Sequence, residues 1–248
     1  NDGELWRIIG IFNVTDANGN TSKKLKIVRN SSIGSFSWDA TGNNDYGIND
    51  WTESDLMQEL NGDYLDTTLT ANKTNWYNSY WDSSTNKSVF RQTGTFNYQY
   101  TIKEKYQTMI SESVWNIGGN ISNKNTASLL TLEQYNAERG SITYQNSRPT
   151  TWTGKIGLIY ASDYGYASTD IECRENLRAG QVYNAETNTY DYTNTKCKNN
   201  NWLHKNAWYW TLSPYSGNTN NVFLVTGGGI VNTDNASDSS GVFAATYL

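Results

Sequence analysis

Trp208-Tyr209-Trp210-Thr211-Leu212-Ser213-Pro214-Tyr215 leads into Val222-Phe223-Leu224-Val225, then Gly227-Gly228-Gly229-Ile230-Val231 and Gly241-Val242-Phe243, and the chain closes on Tyr247-Leu248. An aromatic block followed by short apolar runs, separated by small and polar residues, predicts a fixed start and a set of short β-strands. Period-two alternation places Phe223, Val225 and Val231 on one face and Leu224, Thr226, Ile230 and Asn232 on the other. If the first set is core, the second projects outward. Outward-facing Leu and Ile ask for a cover, which points to a binding surface on a rigid scaffold. The plainer alternative is a hairpin that closes the core and leaves Leu224 and Ile230 as scattered surface residues. Tyr215, Asn218, Asn220, Asp234 and Ser237 extend the expected patch through the adjoining loops. Aromatic and small polar side chains of this kind make adaptable contacts at low entropic cost.

Working outward from this segment, the whole chain has 248 residues, a net charge of -5 and 17% charged residues. It has no basic footprint for nucleic acid. Hydrophobic content is low at 36%, but ten Trp and eighteen Tyr compensate. Large aromatics bury much area while keeping a polar tip, so the composition is that of a folded, loop-rich, aromatic-cored protein. No 18-residue apolar run marks a membrane span. Asn1-Asp2-Gly3 reads as the start of a trimmed chain, with any membrane anchor upstream of it.

Cys173 and Cys197 are the two cysteines, set in polar, Asn-rich surroundings. They predict one disulfide and an oxidising compartment. One His and two Cys are too few for a zinc site of the usual kind, and no cofactor is expected.

Glu4 to Phe12 reads as a strand, Asn18-Gly19-Asn20 as a turn and Leu25 to Arg29 as its hairpin partner. Ser31 to Asn49 reads as loop anchored by Trp38 and Tyr46. A helix is expected from Thr52, with Thr52 and Asp55 as a weak capping box, Leu56, Met57 and Leu60 as its apolar face and Asn61-Gly62 as its stop. Asp63 to Gly94 reads as irregular surface structure pinned by Trp76, Tyr77, Tyr80 and Trp81. A second helix is expected over Lys103 to Trp115, and a short third around Leu129, Leu130, Leu132 and Tyr135. Trp152 to Ala161 reads as a strand. The expected architecture is a single α+β domain with mixed antiparallel sheets, two main helices and long loops.

The order of motifs resembles a known group of proteins. Leu5-Trp6-Arg7-Ile8-Ile9-Gly10, Trp51-Thr52 through Leu60-Asn61-Gly62-Asp63-Tyr64-Leu65, Gly157-Leu158-Ile159-Tyr160-Ala161-Ser162-Asp163-Tyr164-Gly165-Tyr166-Ala167, Trp210-Thr211-Leu212-Ser213-Pro214 and Val222-Phe223 look like surface proteins of gut Firmicutes and related bacteria. Many of those carry a prepilin-like N-terminal segment. Their C-terminal module is similar to the C-type-lectin-like fold of formylglycine-generating enzymes and of the variable proteins of diversity-generating retroelements. The resemblance implies an extracellular display domain that offers its C-terminal segment, residues 202–248, to a ligand. Two departures stand out. Where such relatives close with Gly-Val-Arg-Pro, this chain has Gly241-Val242-Phe243-Ala244, which removes an expected anchor. The calcium-ligand tripeptides of sugar-binding lectins are absent, and Asp234 and Asp238 read as solvated loop carboxylates.

Catalysis is not expected. The formylglycine-generating relatives act through cysteines or copper, whereas the spacing of Cys173 and Cys197 suits a staple. His204 among aromatics reads as structural, and with a single His no Ser-His-Asp set stands out. No carboxylate pair stands out for glycoside hydrolysis. The expected function is an anchored cell-surface binding module for a protein or glycan on another cell or on a phage or host surface, with no nucleic acid partner and no membrane contact of its own. A structural pilus subunit and a carbohydrate-active enzyme are the alternatives.

Overall fold

The computed structural model describes residues 3–40, 46–66, 76–82, 87–94, 100–122, 128–144, 148–187 and 189–248, with backbone alone for 76–82 and 87–94. The chain begins with the expected hairpin, β1 (Trp6–Thr15) and β2 (Thr21–Arg29). Its turn is held by Asp16, whose carboxylate accepts the N–H groups of Asn18 and Asn20, and by Gly19 at φ +84°. That positive φ is what glycine supplies without strain. A bulge between Ile8 and Gly10 shifts the register, so Ile8 and Ile11 both face solvent.

After β3 (Ser35–Ser37) comes α1 (Asp55–Asn61). Its cap is Ser54, which accepts from the Met57 N–H, and not Thr52. Thr52 is held one turn earlier by Asp50, whose carboxylate takes both its N–H and its hydroxyl. Leu56 and Leu60 are buried and Gly62 ends the helix, as the sequence predicts. The aromatic stretch expected to be irregular forms a hairpin instead, β4 (Trp76–Asp82) and β5 (Lys87–Gly94). The remainder of that stretch between Thr67 and Asn75, and residues 83–86, lie outside the described residues.

The second expected helix is reduced to one turn, α2 (Glu104–Gln107), followed by β6 (Ser113–Asn116). Pairing decides this. Ser111 donates to the Tyr247 carbonyl, and β6 runs antiparallel to β7 (Thr151–Gly154). Trp115 becomes a core residue, 4.6 Å from the Tyr247 ring centroid. The third helix exists as α3 (Thr131–Glu138). The expected strand over Trp152 to Ala161 breaks into β7 and β8 (Ile156–Gly157), and Ala161 opens α4 (Ala161–Tyr166).

Next come α5 (Ile171–Glu175), the small hairpin β9 (Val182–Asn184) and β10 (Thr189–Asp191), and α6 (Thr195–Asn199). The C-terminal strands are β11 (Tyr209–Pro214), β12 (Asn221–Val225), β13 (Val231–Asn235), β14 (Ser239–Gly241) and β15 (Ala245–Tyr247). They divide between two sheets. One is antiparallel in the order β1-β2-β15-β8, so the first and last strands of the chain share it. The other runs β13-β12-β11-β14-β3, with the β11–β14 pair parallel. The class is α+β, with short helices among the described residues. No helix among those residues is long and apolar enough to cross a membrane.

Indole rings knit the core. Trp38 lies 5.1 Å from Trp51, and Trp51 meets Trp152 edge-on at 5.9 Å. Three of the buried N–H groups find a carbonyl: Trp38 donates to Thr211, Trp210 to Phe36 and Trp115 to Gly154. Such rings bring area and a hydrogen bond together, which is how a chain with modest aliphatic content fills its core. Trp38 is therefore the anchor expected of it, whereas Tyr46 is half-exposed. Phe243, in place of the expected arginine, packs edge-on against Tyr209 at 5.1 Å, and the Lys205 ammonium lies 5.4 Å from its ring centroid.

Candidate functional site

The disulfide forms between Cys173 and Cys197. Each cysteine occupies the same place in a capped helical turn. Asp170 accepts the Cys173 N–H at the start of α5, and Asn194 accepts those of Lys196 and Cys197 at the start of α6. Side-chain caps of this sort satisfy N–H groups that a short helix cannot pair internally. Lys196 adds ion pairs to Asp170 and Glu172 at 3.0 and 3.1 Å.

This stapled segment lies over the β12–β13 hairpin. Asn194 donates its N–H to Gly228 and its side-chain amide to Ala179. The Leu177 carbonyl accepts the Val231 N–H, and Arg178 Nε donates to the Val231 carbonyl. The Tyr164 hydroxyl donates to Gly229. Gly228 presses so closely on the Tyr192 carbonyl that a side chain would collide with it, and Gly229 has φ +92° against the Lys198 backbone. The triple glycine is thus a docking turn.

The consequence is a correction. Leu224, Thr226, Ile230 and Asn232, expected to project into solvent, are buried at 0, 0, 1 and 6% exposure, as are Phe223, Val225 and Val231. Alternation assumed one wet face, whereas the stapled segment covers the second face as well, so both sets are interior. Ser237 is also buried, its N–H on the Tyr46 carbonyl and its own carbonyl taking the Ser37 hydroxyl. Tyr215, Asn218, Asn220 and Asp234 stay partly exposed. Asn218 and Asn220 are occupied locally. Asn218 Oδ1 accepts the N–H groups of Asn220 and Asn221, and the Asn220 amide donates to Asn235. Asn49 ties that loop down by donating to the carbonyls of Tyr215, Asn218 and Asn221.

What the cover exposes in exchange is aromatic. Tyr183 and Tyr190 face each other across β9–β10 at 4.9 Å, Tyr190 lies 6.1 Å from Tyr192, and Tyr192 meets Trp208 edge-on at 6.3 Å. Tyr183 is 48% and Trp208 41% exposed, with Tyr190 and Tyr192 half-buried between them. Beneath the row sits Arg178, fully buried, whose burial lowers its pKa to about 10 while the nearby Tyr192, Tyr215 and Tyr190 hydroxyls act to raise it. Burial raises Tyr192, with a hydrogen bond from Asn232 and the Arg178 charge opposing. Asn232 and Asp234 therefore border this row, Asn232 from the buried side, whereas Tyr215 packs edge-on against Phe223. Periodicity alone does not single out Tyr183, Tyr190, Tyr192 and Trp208. Their signal was the tyrosine density of Tyr183 to Tyr192 inside the two-cysteine loop.

Beyond Asn232 the two loop carboxylates are not independently solvated. Asp238 is raised to about 7, first by burial, then by a hydrogen bond to Asp234 and by its charge. Two close carboxylates ionise together only at a cost. Among the described residues no three His, Cys, Asp or Glu side chains gather to hold a metal ion. His204 accepts the Asn206 N–H at Nε2 and faces the Tyr164 hydroxyl at Nδ1, with burial lowering its pKa.

No protein-family model, curated protein or solved structure matches this chain.

Proposed function

We propose that this chain is an extracellular binding module of C-type-lectin-like architecture that recognises a glycan through the row Tyr183-Tyr190-Tyr192-Trp208. The observation that carries the reading is that row itself: four rings in succession, two of them 41–48% exposed, three of them on a segment fixed by a disulfide and two helix caps and the fourth, Trp208, at the approach to β11. Exposed rings beside polar groups suit pyranose faces, which offer C–H surface to stack and hydroxyls to bond. Asn232, itself buried, steadies Tyr192 by a hydrogen bond, and the partly exposed Asp234 close to Tyr192 supplies a hydrogen-bonding group. Pre-organisation lowers the entropy lost on binding. The disulfide supports an oxidising, extracellular setting. The order of motifs and the α+β arrangement support the lectin-like reading.

The test is a panel of immobilised glycans probed with the purified chain, with Trp fluorescence titrations on each hit. A saturable, carbohydrate-competed signal is expected. Binding only to proteins, indifferent to free sugar, would overturn the glycan reading.

A second reading, a structural filament subunit, is favoured by a different surface. Leu5, Ile8, Ile11 and Met109 are each more than half exposed. Met109 lines an apolar cleft of about 160 Å³ together with Trp6, Ile27, Ile102, Tyr106 and Leu248, and Ile8 pairs with Ile27. Surfaces of this kind mark association sites. Concentration-dependent assembly lost in Ile8→Ser/Ile11→Ser would support it.

A further inference from the structure

Lys26 stands in the middle of β2, between β1 and β15, and is completely buried. Its Nζ lies 2.6 Å from Asp163 Oδ2, and the Asp163 side chain is itself only 6% exposed. Three rings enclose the pair: Tyr160 at 4.0 Å from Nζ, Trp115 at 5.3 Å and Tyr247 at 5.8 Å. The same Asp163 oxygen accepts the Tyr160 N–H at 2.8 Å, so the carboxyl is held in one orientation at the start of α4. That helix is in turn fixed by Glu138, which accepts from the N–H and hydroxyl of Ser162 and from Ser213.

An amine and a carboxyl held in contact, dry and oriented, are reactants as well as an ion pair. Fixed contact replaces a bimolecular encounter with an intramolecular one, worth effective molarities of roughly 10⁵ M or more when geometry is right. A water-poor enclosure makes the ammonium costly to keep charged. It also removes the solvent that would reverse a condensation.

We propose that Lys26 and Asp163 condense within the folded chain to an isopeptide bond. The ammonium gives up two protons to the carboxyl, which enter through the Oδ2 it touches and collect on Oδ1, and Nζ attacks Cγ. The new Nζ–Cγ bond forms as the Cγ–Oδ1 bond breaks, and that oxygen leaves as water. The oxygen held by the Tyr160 N–H remains as the amide carbonyl. No oxidant or cofactor enters, and the net charge is unchanged because a neutral amide replaces an ion pair. Burial lowers the Lys26 ammonium below its ordinary value despite the opposing pull of Asp163, which brings the nucleophilic amine within reach. The product would join β2 to α4 across 137 residues of sequence. It would cross-link the sheet that contains both ends of the described chain, a useful bond in a displayed protein under pull.

The test is the intact mass of the denatured, unreduced protein, followed by peptide mapping. The expected mass is one water below that of the disulfide-bonded sequence. Trypsin should fail to cut after Lys26, and one branched peptide should join the Lys26 and Asp163 segments. Lys26→Arg keeps a cation but no condensing amine, and its mass should show no water loss. A wild-type mass equal to the disulfide-bonded sequence, with Lys26 cleaved normally after unfolding, would overturn the proposal. So would a water loss that maps elsewhere or persists in Lys26→Arg.

Discussion

The backbone N–H of Asn194 donates to the Gly228 carbonyl at 2.9 Å. With it the cap of α6 is fastened to the turn of the β12–β13 hairpin, three residues from Cys197. Staple, cover and aromatic row are therefore one mechanical unit. The Cys173→Ser/Cys197→Ser double variant should lose stability by about 3 kcal/mol, the chain-entropy value for a loop of this size. Ligand binding should weaken along with it, because the row loses its frame. Denaturant unfolding with and without reductant checks the first, and titration under the same conditions checks the second. Reduced protein with unchanged stability would contradict this.

Burial on both faces of β12 makes neighbours in sequence equally sensitive. Leu224→Ala should cost about 2–5 kcal/mol and Phe223→Ala about 3–5 kcal/mol, as large-to-small changes in a packed core do. Melting temperatures of the two variants decide it. A silent Leu224→Ala would restore a solvent-facing second side to the hairpin.

These strands also show what the sequence made legible. The hairpin β1–β2 announced itself through Asn18-Gly19-Asn20, because a tight turn needs its own chemistry. The cap and stop of α1 were visible within two residues. Alternation gave the period of β12 and β13 correctly but not their environment, since covering a strand is done by residues far off in the chain. Leu25 to Arg29 carries the same lesson. The alternation is real, yet Lys26 and Val28 face the interior while Leu25 and Ile27 stay partly exposed. A lysine at an interior position is intelligible only once Asp163 and three rings are seen around it. The segment Lys103 to Trp115 failed for a related reason: Tyr106, Met109, Ile110 and Val114 mimic helical spacing, but pairing with Thr151–Gly154 outweighs a weak local preference. The aromatic row was hidden because its members come from β9, β10, the approach to α6 and the approach to β11. The β9–β10 pairing, the disulfide and the Asn194–Gly228 bond together bring them to one place.

The Asp234–Asp238 pair gives a pH dependence with a definite sign. Asp238 is raised from an ordinary 3.8 to about 7 in the folded chain. Between those values the native state holds a proton that the unfolded chain has released. Its contribution to stability is therefore full below about 4 and is lost as pH rises through about 7. The wild-type melting temperature should fall across this interval relative to Asp238→Asn, whose side chain does not titrate. Parallel pH profiles for the two proteins would show that the pair does not share a proton in this way.

The turn at Gly229 supplies an independent check on the cover. Its φ of +92° and the closeness of the Lys198 backbone leave no room for a side chain. Gly229→Ala should destabilise the chain by about 1 kcal/mol or more, from backbone strain and displacement of α6 together. Unfolding titrations measure it, and a neutral result would mean that the turn is not pressed against α6.

The central claim is that ligand is held by the aromatic row and not by the asparagine loop. The most direct measurement is a ligand titration of Trp208→Ala beside Asn218→Ala, each paired with a melting curve. The row predicts that Trp208→Ala loses about tenfold or more in affinity, some 1.4 kcal/mol or above, as an exposed aromatic contact does. Its stability should change by only about 1 kcal/mol. Asn218→Ala should bind as the wild type does wherever it remains folded. Undiminished binding by Trp208→Ala, with binding abolished in a folded Asn218→Ala, would contradict the account.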